Sequence, residues 1–114
     1  VIARRYSVAG MAGIDAGTDS FLVEWYGPRA PAHWIGETAQ RLDDRAAAIS
    51  ARGGQVRLLM AVAVPSDDYA FGVFAAASAE VVAETCADAG APPERISVAV
   101  GWWRGQDFRS PSET

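Results

Sequence analysis

The stretch QVRLLMAVAV at 55–64 constrains the fold more than any other part of this chain. It carries one charge, Arg57, follows Gly53-Gly54 and stops at Pro65. A run this short, branched at several positions and bounded by Gly and Pro, reads as a strand buried on both faces rather than a helix. Ser66-Asp67-Asp68 makes a polar turn, where Asp belongs for backbone reasons. YAFGVFA at 69–75 supplies a second strand, and the short connection makes the pair a hairpin. Such a hairpin needs layers around it, so the flanking segments decide the architecture.

Those flanks alternate in period. SFLVEWY at 20–26 is aromatic and branched and runs into Gly27-Pro28, which marks a strand. Over 31–52, Ile35, Ala39, Leu42, Ala46 and Ile49 recur at helical spacing, with Glu37, Gln40, Arg41, Asp43, Asp44 and Arg45 on the other side. This is an amphipathic helix, with Pro31 suited to its first turn and Gly53-Gly54 to its end. Ser78 caps a second helix through 89, whose inner face is Val81, Val82, Thr85, Cys86 and Ala89. Gly90 and Pro92-Pro93 terminate it. RISVAVGW at 95–102 is the last strand. The order is β-α-β-β-α-β, a ferredoxin-like α+β pattern with a four-stranded antiparallel sheet and two helices on one face. The chain then divides into an N-terminal arm (1–19), a ferredoxin-like domain (20–103) and a C-terminal tail (104–114).

Strand alternation sorts the side chains between the helix-covered face and an open one. The helix-facing sets are Phe21, Val23 and Trp25; Val56, Leu58, Met60 and Val62; Phe71 and Val73; and Ile96, Val98 and Val100. The open face takes Leu22, Glu24 and Tyr26; Arg57, Leu59, Ala61 and Ala63; Ala70, Gly72 and Phe74; and Ser97, Ala99 and Gly101. A solvated face would alternate toward polar residues, and this one is mostly small or apolar. It calls for a cover. Apolar burial at roughly 25 cal/mol per Å² favours association, and a homodimer stacking two sheets into an α/β barrel is the simplest one.

Composition narrows the function classes. Fourteen acidic residues against ten basic ones leave a net charge of −4, without the basic footprint that nucleic acid requires. No run reaches the roughly 18 apolar residues of a membrane span. One Cys excludes an internal disulfide framework, and one His, His33, excludes a multi-histidine metal cage within a single chain. Gly53-Gly54 ends a helix instead of starting one, the wrong geometry for a phosphate loop. All ten basic residues are Arg, a usage that fits a GC-rich genome such as an actinobacterium's. Arg4-Arg5 invites a twin-arginine export reading. The apolar segment 8–14 is short, interrupted by Gly10 and Gly13, and lacks a cleavage site, so we expect a cytoplasmic protein with an arm lying on a neighbouring subunit.

Four segments, FLVEWY, VRLLMAVAVPSDDYAFGVFAA, SAEVVAETCADAG and PPERISVAV, resemble a family of small bacterial ferredoxin-like proteins of undefined function. That family includes a streptomycete nickel-binding protein, and the resemblance, over about residues 20–100, implies a dimeric α/β barrel. A divalent metal is the cofactor it suggests, yet His33 is the chain's sole imidazole, and a metal site would draw its other ligands from both subunits. Related barrels include cofactor-free monooxygenases, lactone isomerases and heme enzymes, so fold alone leaves the reaction open.

The residues themselves point to a cavity on the open face that binds, and in an enzymatic version transforms, a small apolar or aromatic molecule. Glu24 is the candidate catalytic acid or base. Arg57 is its orienting or anion-pairing partner on what would be a neighbouring strand, the alternative being simple neutralisation. Tyr26, Trp25 and Phe74 would contact the ligand, because aromatics at a barrel mouth can stack on a planar molecule; they can equally complete an interface. His33 is the metal candidate, Cys86 a small core residue. The rival readings are a metal-binding protein and a non-catalytic interaction subunit that uses its terminal arms.

Overall fold

The computed structural model describes residues 17–103 and 106–107. The order of elements is β1 (Asp19–Tyr26), α1 (Ile35–Ala51), β2 (Val56–Val64), β3 (Tyr69–Ala76), α2 (Ala79–Asp88), β4 (Arg95–Ala99), β5 (Trp102–Trp103) and β6 (Gln106–Asp107). The first four strands form one sheet in the order β2-β3-β1-β4, with every neighbouring pair antiparallel. This is the ferredoxin-like α+β fold expected from the sequence. β5 and β6 form a separate two-stranded sheet among the described residues, Trp102 opposite Asp107 and Trp103 opposite Gln106. The expected last strand at 95–102 therefore stops at Ala99, and the small second sheet straddles the boundary between domain and tail. Asp19, assigned to the arm, opens β1 instead. The remainder of the arm and most of the tail lie outside the described residues.

The core forms between the two helices and one face of the sheet. Leu42, Ala46 and Ile49 from α1 and Val82, Cys86 and Ala89 from the α2 region meet Phe21, Val23, Trp25, Val56, Ala70 and Phe74. α1 begins at Ile35, with Trp34 at the cap position and no side-chain cap, so Pro31 lies before the helix and not in its first turn. α2 follows the expected pattern: the Ser78 hydroxyl accepts from the Val81 N–H at 3.3 Å. Its end is made by Gly90 at φ +77°, a left-handed position where glycine carries no Cβ penalty. Trp25 is anchored as well as buried, its indole Nε1 donating to the Ala91 carbonyl at 2.8 Å.

The register corrects several face assignments. Phe21 pairs with Phe74, Val23 with Gly72 and Trp25 with Ala70. Directly opposed residues share a face, so Ala70, Gly72 and Phe74 are core and Phe71 and Val73 are open, the reverse of the expectation. Gly72 lies under the Trp25 ring, where an added Cβ would make ordinary contact at 3.6 Å. In β2 the register slips between Leu58 and Met60. Val56 and Leu58 face the helices as expected, but beyond this bulge Met60, Val62 and Val64 turn to the open face and Ala61 and Ala63 to the core. One inserted residue inverts every side chain after it. In β4, Ile96 and Val98 take the helix side as expected, although Val98 is 72% exposed.

Candidate functional site

The sheet's open face carries a second apolar cluster, Val73 and Ala75 with Leu22, Leu59 and Phe71 against them. At one end of it β1 and its two neighbours bring three polar side chains together. Glu24 lies opposite Phe71 on β3 and Arg95 on β4, while Tyr26 lies opposite Tyr69. The Tyr69 hydroxyl donates to Glu24 Oε2 at 2.8 Å. Arg95 Nε stands 3.9 Å from Glu24 Oε1. It also donates to Ser97 Oγ at 3.2 Å. The backbone holds the cluster in place from the loop before β4, where the Glu94 N–H donates to the Glu24 carbonyl and Glu94 Oε1 accepts from the Tyr26 N–H.

Shielding decides what this cluster is. The Glu24 side chain is only 19% exposed, against 66% for Arg95. A carboxylate so shielded on the sheet face opposite the described helices is held by its partners rather than left in water. Burial, followed by the hydrogen bond and the charge of Glu24, pushes the Tyr69 phenol above its ordinary 10.0. Tyr69 is therefore a neutral donor over the physiological range, and Glu24 is the acceptor. Chemically the group offers a carboxylate able to hold or exchange a proton, a phenol fixing one of its oxygens, and a guanidinium alongside. The Tyr69 and Phe71 rings, 6.1 Å apart and tilted by 43°, form an aromatic wall next to it.

Of the residues singled out from sequence, Glu24 and Tyr26 fall together on the open face. Arg57 does not join them. β3 separates β2 from β1, and Arg57 pairs with Ala75, at the far end from the Phe71 that faces Glu24. It lines a different groove of about 640 Å³, bounded by Asp43, Ser50, Gly54, Gln55 and Thr18. Arg95 occupies the place beside Glu24 that was expected of Arg57. Phe74, at 0% exposure, and Trp25, at 1%, lie under the helices and not on the open face. His33 is exposed ahead of α1. Among the described residues, no group of three or more His, Cys, Asp or Glu side chains gathers as a metal site. Sequence reasoning missed Tyr69 and Arg95. The pointer to Tyr69 was its parity, shared with Phe71 and Val73, because a strand's polar-tipped residue marks its solvent side.

The fold defines the class: a ferredoxin-like α+β domain in which, among the described residues, both helices pack on one sheet face. The fold is similar to that of SCO4226 from Streptomyces coelicolor A3(2), a crystal structure with TM-score 0.54 at 18% identity, matched over 70% of this chain and 94% of that one. Likeness at that identity is one of fold. No family model and no curated protein matches the chain. Among the described residues, no helix is long and apolar enough to cross a membrane.

Proposed function

We propose that the open face is the working surface of the protein: a second copy closes over it, and a small apolar or aromatic molecule binds in between, beside Glu24. The observation that carries this reading is a shielded carboxylate, hydrogen-bonded by Tyr69, at the margin of an apolar cluster on the sheet face opposite the two described helices. Apolar walls with few convergent polar groups are how small-molecule sites are built. Leu22, Phe71 and Val73 supply the floor, Tyr26 and Tyr69 the rim, and Glu24 the acid–base group available to whatever is held. The fold shared with SCO4226 supports placing the chain with the small bacterial ferredoxin-like family that its segments resemble.

Native mass spectrometry of the purified protein beside a denaturing spectrum tests this. The expected result is a dimer carrying extra mass that denaturation releases, with that mass lost in Glu24→Gln while the dimer persists. Retention of the same mass by Glu24→Gln would remove Glu24 from the site. The metal reading keeps one foothold, exposed His33, and His33→Ala with elemental analysis decides it, since a metal held there would leave with the imidazole.

A further inference from the structure

The polar cluster also restricts the chemistry of the molecule it would hold. We infer that the ligand is uncharged, with an aromatic or apolar body and a head group that sets a hydrogen-bond donor beside an acceptor, a primary carboxamide being the simplest case. The inference rests on the small-molecule reading above and adds the head group to it.

Glu24 Oε2 is occupied by the Tyr69 hydroxyl at 2.8 Å. Oε1 has a charge neighbour, Arg95 Nε, but at 3.9 Å, beyond hydrogen-bond length. That Nε spends its proton on Ser97 Oγ at 3.2 Å. Oε1 thus keeps its capacity to accept a donor, and the terminal amino groups of Arg95 keep theirs to donate. With the Glu94 carboxylate turned to the Tyr26 N–H, Glu24 and Arg95 are the charges left facing a ligand, and they stand so close that they oppose each other's ligands. An ammonium drawn to Glu24 meets the guanidinium, and a carboxylate drawn to Arg95 meets Glu24. Cover by a second copy would exclude water and add the cost of desolvating a charged head, which the opposing neighbour prevents its partner from repaying in full. A neutral head that donates to Oε1 and accepts from Arg95 satisfies both groups and adds no charge. A site with polar atoms aimed this way rejects molecules that leave one of them unpaired. The wall of Tyr69 and Phe71 suits a flat body.

Three probes of one shape separate the possibilities: benzamide, benzoate and benzylammonium, titrated into the full chain at low salt and followed by ligand-detected NMR. Benzamide is expected to bind about tenfold more tightly than either charged analogue. Arg95→Gln should shift the preference toward benzylammonium, and Glu24→Gln toward benzoate. A wild-type ranking led by either charged probe overturns the head-group inference and leaves the small-molecule reading standing. So does a ranking that neither substitution moves. If none of the three binds the wild type, both fall together. The wild-type ranking needs no variant, so misfolding of a substituted protein cannot mask the answer.

Discussion

Cys86 and Glu24 show how differently one fold treats its two most reactive kinds of side chain. Glu24 is held at the sheet's open face by Tyr69, whereas Cys86 is at 0% exposure on the inner face of α2. Burial pushes the thiol from its ordinary 9.0 up to about 12. The folded chain keeps that proton where the unfolded chain releases it, so the contribution is complete below pH 9 and lost as pH rises toward about 12. The loss amounts to about 1.4 kcal/mol per pH unit across that window. Tyr69, raised chiefly by burial and then by Glu24, acts in the same sense above its ordinary 10.0. Denaturant midpoints measured at pH 8 and pH 10.5 should therefore fall steeply in the wild type and less in Cys86→Ala. Identical pH dependence in the two proteins would mean that the thiol is not sequestered as the structure has it. The same burial makes Cys86 a packing residue and a poor nucleophile, as expected from its helical position.

At the level of elements, α2 is where sequence and structure agree most closely, because its start rests on local chemistry. The Ser78 hydroxyl accepts the Val81 N–H, satisfying one of the orphan donors of a ten-residue helix. Ser78→Ala should lower stability by about 1 kcal/mol, read from denaturant unfolding, while Ser78→Asp should retain most of the wild-type value. An unchanged Ser78→Ala would show that packing alone fixes the helix start. The strands were harder to read for a physical reason. β3 carries Phe71 and Phe74 on opposite faces, so apolarity could not say which faced the helices; the register with β1 could. The bulge after Leu58 leaves no trace in a run as uniformly apolar as LLMAVAV, yet it reverses the remainder of β2. Arg57 was paired with Glu24 for want of the strand order, which only the tertiary structure reveals. Glu24 and Tyr26 were legible because β1 alternates cleanly from Phe21 to Tyr26.

For the molecule as a whole, the question is why one face of the sheet is built from apolar side chains that the two described helices do not reach. Met60 at 38% and Val64 at 36% exposure join Leu22, Phe71 and Val73 on that side. Antiparallel sheets exposed to water alternate toward polar residues, and this face does not: Val73 and Ala75 at its centre are already buried within one chain, while Met60, Val64 and Phe71 keep apolar area in reach of solvent. In the proposed dimer a second copy would present the same face, and an isologous contact about a twofold axis would bury both at once. Phe71 sits near the middle of the sheet, between Glu24 on β1 and Val62 on β2, so it would lie within the contact. It is half-buried within one chain, and a charge there is tolerable in a monomer facing water but costly between stacked sheets. Sedimentation velocity should therefore find a wild-type dimer and a folded Phe71→Glu monomer, with circular dichroism confirming retained structure in the variant. A wild type that sediments as a monomer at every concentration would instead show that the apolar face is tolerated in water, and the cavity between two copies would have no walls.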